Sequence, residues 1–587
     1  MTPEKRIKDQ LNLIYGNEIA NSTWGDIERI ITKYQQNELI RTRKNRANGI
    51  VLDERDAILI TYGDQLRDYV RTPLQCLYDF LRKYLNDVVS GVHILPFYPY
   101  SSDDGFSVID YRKVNPELGN WEDIENISSD YRLMIDAVIN HLSRESDWFK
   151  SYLNLEPPYE KYFISVNPEE DLSMVFRPRA LPLLTRVITR NGYLHVWTTF
   201  SEDQIDLNFG DPVVLLELLD LLLFYATKGA ELIRLDAIAY LWKEIGTSCL
   251  HLPQTHAVIK IWRAALDIVA PWVVLITETN VPHKENISYF GDVVPETGIT
   301  DEAQMVYQFP LAPLVLNTFQ KSDVTKLNKW AEELKVPAPF LNFIASHDGI
   351  GVMPAKGILS EIEIQEIVDQ TIAHGGLVSY KSNSDGSESV YELNITLYDW
   401  LNKSGNEQEQ ININRFLASQ SIMLSLAGVP GIYFHSFIGS NNCNSCFEET
   451  GRARSLNREK LDYEALKLQL DNPESKSSKI LKGYCLLLQQ RRSTKAFHPL
   501  SKQRVLDVEK NVFCLIRKDF EGKENVICLT NVSNNKKEII IDVEEFGFID
   551  KSLGIDMLSG EKVVVEDNSF EVELAPYKTM WIKFQVE

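Results

Sequence analysis

The sequence predicts an α/β protein whose main body is a closed (β/α)8 TIM barrel. Three observations carry this. Short β-rich apolar runs alternate with helical patterns, the signature of βα units on a parallel sheet. Eight such runs are present, the number a closed barrel requires. Several of them end in a carboxylate, at the strand ends where barrel enzymes keep their active sites.

The run around which the others are arranged is GAELIRLDAIAY, residues 229–240. Leu232 and Ile233 after a glycine suit a strand covered on both faces, and Arg234 and Asp236 follow at its C-terminal end. Taken alone, such a pair reads equally well as an ordinary ion pair.

In chain order, Ile7, Leu11 and Ile14, then Trp24, Ile27, Ile31 and Tyr34, keep helical spacing. They predict two packing helices in an N-terminal extension, residues 1–50. The first strand, 57–62, leads to Gly63-Asp64; the second, 91–96, enters the loop PFYPYSSDDGFSVIDY; the third, 132–138, reaches Asn140 and His141. Over 144–200 the alternation lapses into a Pro-, Tyr- and Arg-rich stretch, predicted as an inserted domain B. It resumes at 231–236, at 272–277 ending on Glu278, at 304–309, and at 341–345 ending on Ser346-His347-Asp348. Residues 355–403 are polar and turn-rich and predict a second insertion, B′, before the eighth run at 431–434. The barrel therefore comprises 51–143, 201–354 and 404–493. From 494 to 587 period-two runs at 512–516, 526–530 and 580–584 predict a C-terminal antiparallel β domain.

Composition narrows the function. A net charge of −22 disfavours nucleic acid and acidic membrane surfaces as partners, and an anionic ligand must be met by local cations. The longest apolar run, 213–225, is short and interrupted by Glu217 and Asp220, so no membrane span is expected. The opening MTPEKRIKDQLNLIYG lacks the apolar core of a secretory signal, which predicts a cytoplasmic location. Seven scattered cysteines read as reduced thiols, and Cys443-x-x-Cys446 lacks the second pair a zinc site needs. No metal or organic cofactor is expected.

Four strand ends carry carboxylates: Asp64, Asp236, Glu278 and Asp348. Carboxyls gathered at one barrel face divide the work of acid, base and nucleophile when their surroundings push their pKa values apart. Glycosyl transfer with retention uses such a pair, about 5–5.5 Å apart.

DAVINH (136–141), IRLDA (233–237), ITETN (276–280) and ASHD (345–348) resemble, in order and spacing, the four signature regions of the α-amylase superfamily. The resemblance runs from about residue 55 to 490. LITYGDQL, VWTTFSEDQIDLNF, GAELIRLDAIAYLWKEIGTSC and SHDGIGV are similar to its sucrose phosphorylase branch, which transfers glucose from an α-glucoside to inorganic phosphate. The resemblance implies that Asp236 is the nucleophile, held ionised by Arg234. It makes Glu278 the general acid/base and Asp348 the third carboxylate, with His347 beside it. Asp64 and Arg454 would clamp the far hydroxyls of glucose. His141, Phe106 and Phe200 are expected at the sugar, whereas Asp136 and Asn140 order loops and His374 and His435 are structural.

The chain departs from the branch in places. Tyr111 follows GFSVID where the branch has histidine after GFDPID, offering a sugar a donor of different reach. The loops VMPAKGIL and HGGLVSYKSN differ on the acceptor side and look closer to the relatives acting on glucosylglycerate. Arg177 and Arg179 are expected to meet phosphate, and Lys356 and Lys381 a carboxylate. The whole implies a retaining glycoside phosphorylase that takes a small-molecule α-glucoside, glucosylglycerate favoured, and inorganic phosphate. Sucrose, sucrose 6′-phosphate and glucosylglycerol are alternative substrates. An α-glucosidase or transglucosidase with the same triad and a sugar-binding barrel without catalysis are alternative functions. The oligomeric state is open between monomer and homodimer.

Overall fold

The computed structural model describes residues 1–46, 49–179, 181–334, 336–382, 387–402, 408–546 and 551–585. Eight parallel strands form the closed barrel: β1 (Ile58–Thr61), β2 (Gly91–Ile94), β3 (Arg132–Ala137), β4 (Ala230–Leu235), β5 (Val274–Thr277), β6 (Met305–Gln308), β7 (Phe340–Asn342) and β8 (Val429–Tyr433). Each pairs with its sequence neighbour, and β1 closes on β8 through Ile58 opposite Gly431. Both faces of the strands are buried, which is why they read as continuous apolar runs. Ile58, Met134, Leu232, Ile276, Met305 and Leu341 belong to one cluster that fills the barrel interior. Helices such as Pro212–Thr227 and Pro253–Val269 cover the outside. All eight predicted runs are barrel strands.

The extension Pro3–Gln35 is broken at Gly16, whose φ of 73° and ψ of 164° leave the helical region, so it forms two helices, as the spacing predicts. It packs on Pro253–Val269 with Ile7, Leu11 and Ile27 buried. Tyr15 and Tyr34 fix it by donating to the carbonyls of Phe209 and Asp220 at 2.8 and 3.0 Å.

Domain B carries the helix Asp147–Leu153 and the hairpin Leu184–Thr189 with Gly192–Trp197. The second insertion is built on an antiparallel sheet of Ile350–Gly351, Glu388–Asn394 and Leu377–Ser382. Residues 383–386 and the predicted boundary at 403–404 lie outside the described residues. The C-terminal region has a six-stranded antiparallel sheet containing Val512–Lys518, Glu524–Asn531 and Thr579–Gln585, and a two-stranded one.

One expectation is corrected here. Cys443 and Cys446 are joined in a disulfide, so the seven cysteines are not all reduced. The three-residue spacing at the start of the helix Asn444–Thr450 brings their Cα atoms to 5.3 Å, within disulfide range. Cys76, Cys249, Cys485, Cys514 and Cys528 are free thiols. Among the described residues no helix is long and apolar enough to cross a membrane.

The buried Arg491 ties these parts together by donating to the carbonyls of Glu54 (2.7 Å), Asp56 (3.0 Å), Gly428 (2.9 Å) and Phe497 (3.2 Å). These lie before β1, before β8 and at the junction with the C-terminal domain. Arg491→Met leaves four acceptors without their donor. It is expected to cost about 3 kcal/mol or more, read as a lower urea midpoint at unchanged slope. A loss below about 0.5 kcal/mol, the level of an ordinary surface substitution, would contradict this bracing role.

Candidate active site

A cavity opens at the C-terminal ends of the strands, the face where barrel enzymes keep their sites. Its wall takes Arg234 and Asp236 from the end of β4, Glu278 from after β5, and Ser346 and Asp348 from after β7. Loops after β2 and β3 add Asp103, Phe106 and His141. Domain B gives Arg179, the second insertion gives Tyr391 and Glu392, and Arg454 comes from the turn Ala453–Asn457.

Strand register sets the central charges. Asp136 on β3 and Ile276 on β5 both lie opposite Arg234 on β4. The Arg234 guanidinium donates to Asp236 Oδ1 at 2.8 Å and to Asp136 Oδ1, while its Nη2 stands 3.8 Å from Glu278 Oε2. His93 Nε2 lies 2.6 Å from the other Asp136 oxygen. Asp136 is buried, and that alone would raise its pKa; Arg234 and His93 outweigh burial and keep it ionised. For Asp236 and Glu278 burial comes first and neighbouring carboxylates add to it, so the two together retain a proton. Arg234 bonds to Asp236 and not to Glu278, which puts the charge on Asp236 and the proton on Glu278. The Ala237 amide fixes Glu278 by donating to Oε2 at 3.1 Å.

The third carboxylate has the opposite environment. Burial works to raise the Asp348 pKa, but Arg454 and Arg458 overcome it and hold the group well below the usual carboxylate range. Arg454 Nη1 is 2.7 Å from Asp348 Oδ1, and the same guanidinium donates to Glu392 at 2.7 and 2.8 Å. Arg458 bridges Asp104 (2.6 Å) and Asp348 (3.5 Å). His347 is buried and held neutral by that burial. Phe106 stacks on His347 at 5.1 Å with planes 2° apart, and His347 lies behind Phe106 and does not line the cavity.

Of the predicted site residues, Asp236, Glu278, Asp348, Arg234, Phe106, His141, Phe200, Arg454 and Arg179 line the cavity. His141 is neutral through burial, its Nε2 held 2.9 Å from the Phe106 carbonyl oxygen. The structure places five others off the cavity wall. Asp64 faces a neighbouring cleft, where Lys460 and Arg67, each at 2.6 Å, capture its carboxylate. The loop after β2 brings Asp103 to the cavity instead, in the left-handed region at φ 53°. Tyr111 is buried, its hydroxyl bonded to the carbonyls of Val138 (2.7 Å) and His141 (2.9 Å), so it braces a loop and offers a sugar nothing. Arg177 donates to the Leu181 carbonyl and braces domain B. Lys356 and Lys381 do not line the cavity; Lys381 stands over Phe176, which packs against the lining residue Tyr240.

The sequence reading missed Asp103, Gln204, Tyr240, Asn280, Tyr391 and Glu392, all on the cavity wall. Asp103 had a signal, the acidic pair before glycine in SSDDGF, and Asn280 ends the ITETN motif. Glu392 had none. Among the described residues no group of three or more His, Cys, Asp or Glu is placed to hold a metal.

Comparison with known proteins gives a consistent picture. The alpha-amylase catalytic domain matches residues 77–353. The glucosylglycerate phosphorylase of Spirochaeta thermophila is 46% identical, with 99% of each chain covered. The sucrose phosphorylase of Streptococcus mutans is 28% identical over 72% of this chain and 85% of its own. The crystal structure of sucrose 6F-phosphate phosphorylase from Thermoanaerobacter thermosaccharolyticum superposes with a TM-score of 0.71, covering 90% of this chain and 99% of that one at 24% identity.

The pKa logic of the site is open to test through Glu392. Its negative charge helps keep the proton on Glu278. Glu392→Gln removes that help, so Glu278 ionises at lower pH and the alkaline limb of the activity profile moves down. An alkaline limb that stays in place or moves up would contradict the assignment.

Proposed function

The chain belongs to the α-amylase family, among the glucosylglycerate phosphorylases, and on that premise we propose that it is a retaining phosphorylase that transfers glucose from glucosylglycerate to phosphate. The observation that carries this is the meeting of three carboxylates with Arg179 in one cavity. Among the described residues no carboxylate pairs with Arg179, whereas Arg234 and Arg454 are both occupied by acids. A hydrolase that uses water has no need of a free guanidinium there; a phosphorylase does, because guanidinium binds phosphate bidentately.

The reaction runs as a double displacement. Asp236 attacks the anomeric carbon while Glu278 gives its proton to the departing glycerate oxygen, leaving a β-glucosyl ester on Asp236. Arg234 disperses the charge of Asp236 before attack. Asp348, kept ionised by Arg454 and Arg458, accepts hydrogen bonds from sugar hydroxyls that tighten as positive charge grows on the ring. Phosphate, anchored by Arg179, then attacks from the face glycerate left. Glu278, now a carboxylate, accepts the phosphate proton, and α-glucose 1-phosphate departs. The near full-length likeness to glucosylglycerate phosphorylases favours that substrate over sucrose.

Two variants test the assignment. Asp236→Asn keeps the volume of the side chain and removes the attacking charge, so turnover is expected to fall by about four orders of magnitude or more; activity within tenfold of wild type, about 1.4 kcal/mol, would refute it. Arg179→Gln is expected to weaken phosphorolysis of glucosylglycerate, chiefly by raising the KM for phosphate, more than it weakens hydrolysis of the same glucoside. Equal loss of both would make Arg179 a structural residue.

A further inference from the structure

The turn that carries Arg454 is held by two cysteines. Cys443 and Cys446 are joined in a disulfide, while the other five cysteines are free thiols. The bonded pair opens the helix Asn444–Thr450, which ends at Gly451 in the left-handed region at φ 67° and leads into Ala453–Asn457. The amide of Cys443 donates to the carbonyl of Leu456 at 2.8 Å. The carbonyl of Cys446 accepts from the Thr450 hydroxyl at 2.8 Å, and that hydroxyl meets Ser455 Oγ at 2.7 Å. Ser455 and Leu456 are buried and directly follow Arg454. Each of the two residues after Arg454 is thus held by one cysteine, and the S–S bond fixes these two anchors to each other.

The start of the segment is fixed as well, because the Asn442 amide donates to Asp399 at 2.6 Å and its side-chain oxygen accepts from the Thr396 amide at 2.9 Å. At the far end Arg454 reaches Asp348 and Glu392, each at 2.7 Å. A disulfide that serves global stability closes a long loop, since loop-closure stabilisation grows with loop length. This one joins residues separated by three positions, so its effect is local, and an active-site arginine lies within its reach. Cys443 is buried, whereas Cys446 is half-buried beside the exposed Asn444 and Ser445, which gives an external thiol access to it.

We propose that Cys443 and Cys446 form a thiol–disulfide exchange site for an external dithiol, whose oxidised state seats Arg454 against Asp348 and Glu392 and whose reduced state releases it and slows glucosyl transfer. The proposal rests on the glycosyl-transfer reading of the cavity and adds its regulation. A thiolate of the dithiol attacks Cys446 Sγ, and Cys443 leaves as a thiolate, toward which the Cys446 amide already donates at 3.3 Å. The second thiol then attacks the reductant's own sulfur in the mixed disulfide, and Cys446 leaves. The two protons given up by the dithiol end on Cys443 and Cys446, so the protein disulfide becomes two thiols and the reductant a cyclic disulfide.

The test compares the full-length enzyme oxidised with glutathione disulfide and reduced with dithiothreitol. Native alkylation with iodoacetamide, read by mass spectrometry, is expected to label Cys443 and Cys446 only after reduction. Fluoride release from α-glucosyl fluoride is expected to show kcat lowered about tenfold in the reduced form, the scale of one charge-assisted contact, and restored on reoxidation. Cys443→Ser with Cys446→Ser is expected to stay at the reduced rate in either buffer. In Arg454→Gln the two redox forms are expected to be equally slow, because the group that the disulfide seats is gone. The same kcat in both wild-type forms would overturn the proposal, as would a redox effect that persists in Arg454→Gln or labelling of the pair without prior reduction. Fluoride release reads the first displacement whichever acceptor completes the second. A failure of the phosphorylase reading would instead show as fluoride release without phosphate-dependent formation of glucose 1-phosphate.

Discussion

The site depends on one buried cation. Arg234 is 1% exposed and stands among Asp136, Asp236 and Glu278. A guanidinium does not lose its proton in a protein, so its single charge decides how many of the surrounding carboxyls can be ionised. It bonds to two of them, and the third keeps a proton. The rings of Phe106 and Tyr307 flank it at 5.7 and 5.4 Å and fix it through cation–π contact. None of this survives a shift in strand register, because Asp136 and Arg234 are directly opposed on neighbouring strands. Barrel closure, register and proton distribution are therefore one constraint at three scales.

A second guanidinium connects the barrel to its insertions. Arg454 links Asp348, after β7, to Glu392 on the second insertion. Arg454 helps to keep Asp348 ionised, and the insertion's Glu392 helps to keep Glu278 protonated. The strands supply groups whose chemistry is the same for any α-glucoside. The insertions supply Arg179, Tyr391 and Glu392 to the same cavity wall. Strand ends and insertions thus line one cavity from different parts of the chain, as expected where loops vary on a fixed barrel.

What was legible in the sequence follows the same division. Strands buried on both faces read as apolar runs, so all eight could be located; β8 starts at Val429, two residues ahead of the run at 431–434. Asp236, Glu278 and Asp348 were legible because a carboxylate just past an apolar run has few structural reasons to be there. Asp64 satisfied the same rule and still faces elsewhere, since its partner Lys460 is 396 residues away and no local pattern announces it. Glu392 was invisible for the converse reason: its importance comes from Arg454, 62 residues on. Arg177 and Arg179 are two residues apart and have opposite fates, decided by the Leu181 carbonyl that captures the first. Pairings across long sequence distance are set by the fold and leave no periodicity to read.

The claim that charge rests on Asp236 and the proton on Glu278 can be tested by trapping. Glu278→Gln cannot protonate a leaving group, but it should still react with α-glucosyl fluoride, whose fluoride departs without that help. Deglycosylation by water would then be slow for lack of a base, and the glucosyl-enzyme should accumulate. Mass spectrometry of the denatured, proteolysed protein is expected to find one glucosyl group, on the peptide that contains Asp236. A glucosyl group on another carboxylate, or none despite release of fluoride, would contradict the account.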